Sequence, residues 1–168
     1  MELKFDNCFG DKRLQKRAVK MTHELFAKCI YFIRQIAGNN SSQPAWYRFL
    51  RNDNITEHAI TKEITQQCGF SVKDRVVLSS QDTSDINLYT HKTRINNNDS
   101  IGTTNSPDRG LGFLIHPSLV VDSSSGFPIG FSDIKAWNRP NEKITKHERE
   151  YNKLPIQEKE SNKWIESS

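Results

Sequence analysis

The side chains best suited to chemistry form two groups. The first is cationic: Arg13, Lys16, Arg17 and Lys20 recur at three- and four-residue steps, a spacing that puts them on one face of a helix. Such a ridge neutralises phosphates and can set arginine against the edge of guanine in a major groove. A plainly solvated helix face would carry the same residues. Farther on, Trp46-Tyr47-Arg48-Phe49-Leu50-Arg51 interleaves aromatics with arginines. That mixture suits packing on sugars and bases, and it equally fits core aromatics flanked by exposed arginines. The second group is a single acid. Asp82, in Gln81-Asp82-Thr83, closes a short apolar run, where a carboxylate can ligate Mg²⁺ for phosphoryl transfer or simply cap a turn. Asp85, Asp99, Asp108, Asp122 and Asp133 lie in turns or polar stretches and offer no evident second ligand.

These residues need elements to hold them. Asp11 is the expected N-cap of a first helix, and apolar positions at Leu14, Ala18, Met21, Leu25, Cys29 and Ile33 carry it to about Ala37. Gly38-Asn39-Asn40 is the expected stop, and Pro44 suits the first turn of a second helix. Thr56 caps a third, with Ile60 and Ile64 inward and Gly69 as its end. The pattern then changes. Residues 75–80, with Val76-Val77-Leu78, read as a buried strand that delivers Asp82, and residues 87–109 read as an exposed polar loop. Gly110 to Asp122 alternates, with Leu111, Phe113, Ile115, Leu119 and Val121 on one side. A serine-rich turn and the return strand Ile129 to Trp137 complete a hairpin. A last helix is expected to start within Lys159 to Ile165. The expected class is α+β, with an all-helical unit at residues 1–70 and strands in residues 71–168.

Composition sets the limits. Net charge is +4 and mean hydropathy −0.72, but residues 1–62 hold 11 Lys and Arg against 6 Asp and Glu, whereas the remainder holds 13 against 14. The basic surplus therefore sits on the helices, which matters more to a polyanion than the total. Cys8, Cys29 and Cys68 form no CxxC pair, and the five histidines show no ligand spacing, so neither a disulfide framework nor a zinc site is expected. No apolar run approaches the roughly 20 residues of a membrane helix, and the start lacks the apolar stretch of a signal peptide. A cytoplasmic protein without a membrane partner is the expectation.

Phe9-Gly10-Asp11-Lys12-Arg13-Leu14, Trp46-Tyr47-Arg48-Phe49-Leu50-Arg51-Asn52, Gln81-Asp82-Thr83, Gly110-Leu111-Gly112 with His116, and Trp137 with Arg139-Pro140 occur in that order. The series resembles bacterial insertion-sequence transposases of the DDE type, the group typified by the transposase of the composite kanamycin-resistance transposon, over nearly the whole chain. The resemblance implies that residues 1–70 bind transposon-end DNA and that residues 71–168 are the first strands of an incomplete ribonuclease-H-like core. It implies that Arg17 and Arg48 contact the DNA, flanked by Arg13 and Arg51, and it favours the DNA reading of Lys16 and Lys20 on the same ridge. It makes Asp82 the first of three catalytic carboxylates for Mg²⁺ or Mn²⁺. Gln81 departs from the residue that often precedes the family's Asp-Thr. Full-length relatives run to several hundred residues and perform cut-and-paste DNA transposition; the second Asp and the Glu are missing from this chain. The expectation is thus a truncated N-terminal fragment that binds double-stranded DNA, is inactive alone, holds metal weakly or not at all, and folds marginally beyond residue 70. Full-length transposase is a further expected partner. The alternative is a regulatory DNA-binding protein or inhibitor of transposition.

Overall fold

Asp11 decides where the first helix begins. Its backbone is extended, and its carboxylate accepts the Arg13 N–H at 2.7 Å, satisfying one of the donors that a helix start leaves without a partner. Gly10, just before it, takes a left-handed φ of 68° that a side chain would disfavour. In the computed structural model, which describes residues 3–29, 32–37, 42–95, 101–104, 110–139 and 151–167, this helix, α1, spans Lys12–Lys28. It does not continue to Ala37. Cys29 turns left-handed at φ 49°, and after an extended Phe32 the chain restarts as α2, Ile33–Ile36. The apolar periodicity runs across the break because Ile33 and Ile36 fold back onto the cluster that includes Met21 and Leu25. The stripe marked a shared core rather than one rod. The expected stop at residues 38–40 lies outside the described residues.

Helix α3 covers Ser42–Leu50, with Pro44 in its first turn, where a missing N–H costs no hydrogen bond. Helix α4 covers Glu57–Ser71, and the Thr56 hydroxyl caps it by accepting the Ala59 N–H at 3.1 Å. Gly69, the expected stop, is inside α4; the reversal comes later, at Asp74, with φ 61°. The helices enclose Leu3, Phe5, Phe9, Ala18 and Phe49. Phe9 stacks on Phe5 and meets Phe49 edge-on at 6.0 Å. Glu63 is buried beside them, and one carboxylate oxygen accepts the N–H groups of Lys4 and Phe5, both at 3.0 Å.

The chain divides between Lys73 and Asp74, and the second unit is an antiparallel sheet, so the class is α+β. Its strands are β1 (Val77–Gln81), β2 (Ser84–Asn87), β3 (Gly102–Thr103), β4 (Leu111–Asp122) and β5 (Pro128–Trp137). Every strand pairs with β4. β1 pairs from Val77↔Asp122 to Gln81↔Ser118, and β2 resumes at Ser84↔Ile115 with no shift of register. They are one strand interrupted at Asp82-Thr83. Odd-numbered β4 residues point their backbone groups at this strand, since the Leu111 carbonyl accepts from Leu88 N–H and the Ser123 N–H donates to Val76. The residue that should donate at the gap is Pro117, which has no N–H. On the other side of β4 lies β5, with β3 beyond it: Gly112 pairs with both Asn87 and Gly102. Only glycine fits there, because a Cβ would sit 1.9 Å from the Ile86 carbonyl oxygen.

Three expectations change here. β1 is not buried: Leu78 is 59% exposed, and Val76 just before the strand is 77% exposed. In β4 the closely covered face is Gly112, Leu114, His116, Ser118 and Val120, while Leu111, Phe113, Ile115, Leu119 and Val121 are half-buried. Residues 151–167 cross the covered face: the Ser167 carbonyl accepts from Gln81 and Ser118, and Trp164 meets the His116 ring edge-on at 4.5 Å. Residues 87–109 hold a 3₁₀ turn at Tyr89–His91, then β3 and a buried Thr104. The polar run at 96–100, with Asp99, and residues 105–109, with Asp108, lie outside the described residues. The C-terminal helix is short, a 3₁₀ turn at Glu160–Asn162 followed by α5, Lys163–Glu166.

Candidate nucleic-acid interface

Helix α1 buries Ala18 and half-buries Leu14, Met21 and Leu25, which leaves Arg13, Lys16, Arg17 and Lys20 exposed on the far side. α3 divides its residues the same way. Trp46 and Phe49 are core; Tyr47, Arg48, Leu50 and Arg51 are exposed. The aromatic-arginine run is therefore half core and half surface, with Tyr47 the aromatic presented beside the arginines.

The two helices bring their arginines to one place. Arg17 Nη1 donates to the Ala45 carbonyl at 3.3 Å, and Arg48 Nε donates to the Pro44 carbonyl at 3.3 Å. Adjacent carbonyls in the first turn of α3 thus steady two guanidinium groups whose remaining N–H groups are oriented donors. Sequence spacing links Arg17 to the ridge but says nothing of Arg48, which joins it through the packing of α1 against α3. Two of the cations have surface acids nearby, Arg13 with Asp11 at 3.4 Å and Lys20 with Glu24 at 3.8 Å. Exposed pairs of this kind are worth about 0–1 kcal/mol and exchange readily for a phosphate. The six cations, Arg13 to Arg51, all belong to one stretch of chain. Residues 4–55 match the transposase DNA-binding family. The matched stretch takes in α1, α2 and α3 and ends before the Thr56 cap, so all six basic residues fall within it. Within it Phe9 fills the core, Gly10 supplies the left-handed turn and Asp11 caps the helix that carries the cations. Glu63, beyond the matched residues, holds its first turn in place.

Asp82 lies elsewhere, in the second unit. It is exposed in the gap between β1 and β2, and its carboxylate accepts the Thr83 N–H at 2.7 Å. The Thr83 hydroxyl hydrogen-bonds His116 Nδ1 at 2.9 Å. His116 is fully buried, and its Nε2 has no partner among the described residues; burial pushes its pKa down, helped by the positive charge of Lys163. Among the described residues no three His, Cys, Asp or Glu side chains gather where they could hold a metal ion. A two-metal centre needs several carboxylates to hold its ions roughly 3.5–4 Å apart. The donor set around Asp82 does not fit one. Asp85, Asp122 and Asp133 do not supply the missing ligands: Asp122 closes the β4–β5 turn through Ser124 and Ser125, and Asp133 accepts from the Ser167 hydroxyl.

Proposed function

We propose that this chain belongs to a transposase and that its helical unit binds transposon-end DNA through Arg13, Lys16, Arg17, Lys20, Arg48 and Arg51. The observation that carries the reading is the meeting of Arg17 and Arg48 on adjacent carbonyls of α3, inside a stretch that matches a transposase DNA-binding family. Counter-ion release supplies the affinity and the arginine forks supply orientation. In the same proposal the sheet unit belongs to a ribonuclease-H-like core, and Asp82 occupies the place of its first carboxylate, with no companions for a two-metal centre among the described residues. Catalysis by the chain alone is not expected.

Fluorescence anisotropy with a labelled mixed-sequence DNA duplex at low salt tests the binding. Arg17→Ala and Arg48→Ala should each weaken it and flatten the log–log salt dependence by about one unit. Unchanged affinity and slope in both would refute the interface. Strand cleavage of the same duplex in Mg²⁺ by the purified chain would overturn the catalytic part of the proposal.

A further inference from the structure

Beside the ridge, α1 borders a groove of about 580 Å³ with the segment that precedes it. Its lining mixes apolar Leu3, Val19 and Phe26 and polar Thr22 with Lys16, Lys20 and His23. Phe26 is 64% exposed. A large ring left in water at the edge of a charged groove has no part in the core. Residues 16, 20 and 23 climb α1 on successive turns, about 5.4 Å apart along the axis. A DNA strand presents matching chemistry, charged phosphates at close intervals with apolar deoxyribose between them.

We propose that this groove seats the sugar–phosphate edge of one strand of the DNA duplex, with Phe26 against the sugars and His23 beside the phosphates. The inference rests on the DNA-binding reading above and extends its footprint past the six cations. Continuity selects this occupant: Lys16 and Lys20 belong to both groove and ridge, so a strand whose phosphates these two lysines hold borders the groove without a second docking event.

The experiment titrates the labelled mixed-sequence duplex with the full chain across a salt series. Phe26→Ala should bind roughly fivefold more weakly with an unchanged salt slope, because an apolar contact releases no counter-ion. Phe26→Glu should lose more, through repulsion of phosphate. His23→Ala should weaken binding less than Phe26→Glu. Both ring variants should melt like the parent, since position 26 is outside the core. Parental affinity for Phe26→Ala and Phe26→Glu, with Arg17→Ala still impaired, overturns the groove and leaves the DNA-binding reading intact. No binding by the parent chain removes both. A change in sedimentation of Phe26→Ala without DNA, at parental affinity, makes the groove a contact between copies of the chain and overturns the proposal.

Discussion

Glu63 and Phe5, 58 positions apart in the chain, are joined by a buried hydrogen bond of 3.0 Å from the Phe5 N–H to the Glu63 carboxylate. The same oxygen takes the Lys4 N–H. Phe5 has a left-handed φ of 53°, so this acid holds an unfavourable backbone turn while the Phe5 ring enters the core. Glu63→Ala would leave two amides without their acceptor and should lower the stability of the helical unit by about 3 kcal/mol, read by urea denaturation followed by circular dichroism. A loss no larger than that of an exposed Glu57→Ala control would contradict this role.

Arg17→Lys separates charge from shape. Lysine keeps the cation, and therefore the salt slope, but cannot hold the Ala45 carbonyl and present a planar fork at once. Affinity should fall roughly tenfold with little change in slope, in contrast to Arg17→Ala. Full activity of the lysine variant in anisotropy would reduce Arg17 to a point charge.

His116 makes the sheet unit sensitive to acid. Its folded pKa lies below the unfolded value of about 6.5, because burial disfavours the charged ring. Between those two values the unfolded chain binds more protons, so stability is greatest above pH 6.5 and declines as pH falls toward the folded pKa. Tryptophan fluorescence during denaturation at pH 7.5 and 5 measures this. His116→Gln should flatten the difference between the two pH values, and an equal pH response in that variant would remove His116 as its source.

Gly112→Ala should disrupt the junction of β2, β3 and β4. The new Cβ would meet backbone oxygen at 1.9 Å, and backbone cannot swing aside as a flexible side chain does. A destabilisation of about 3 kcal/mol or more is expected, with amide exchange in β2 rising before that in β5. Ordinary protection throughout β2 would show that the strands yield more easily than their pairing implies.

What the sequence revealed was mostly local. Asp11 and Thr56 announced their helices because a cap acts within three residues, and the cationic ridge was legible because helical spacing alone defines a face. Helix ends were harder to see. Cys29 turns left-handed without being glycine, while Gly69 stays helical because α4 continues around it. Long-range effects were invisible: nothing near Glu63 points to Lys4, and nothing near Arg17 points to the Ala45 carbonyl, beside the one that Arg48 holds. In the strands, alternation was correct but did not say which side is covered. His116 and Ser118 lie on the closed side because residues 151–167 bring Trp164 and Ser167 to meet them.

Pro117 sets the shape of a segment more than thirty residues upstream. Lacking an amide proton, it cannot complete a ladder rung, so the chain opposite departs from its pleat and turns an acid toward water. Restoring the proton with Pro117→Ala should fuse two short stretches into a single continuous one, visible as a newly protected amide at position 117. The corner at Asp82 is thus written largely in its neighbour, and a mutation there would reshape the acid's surroundings without touching it.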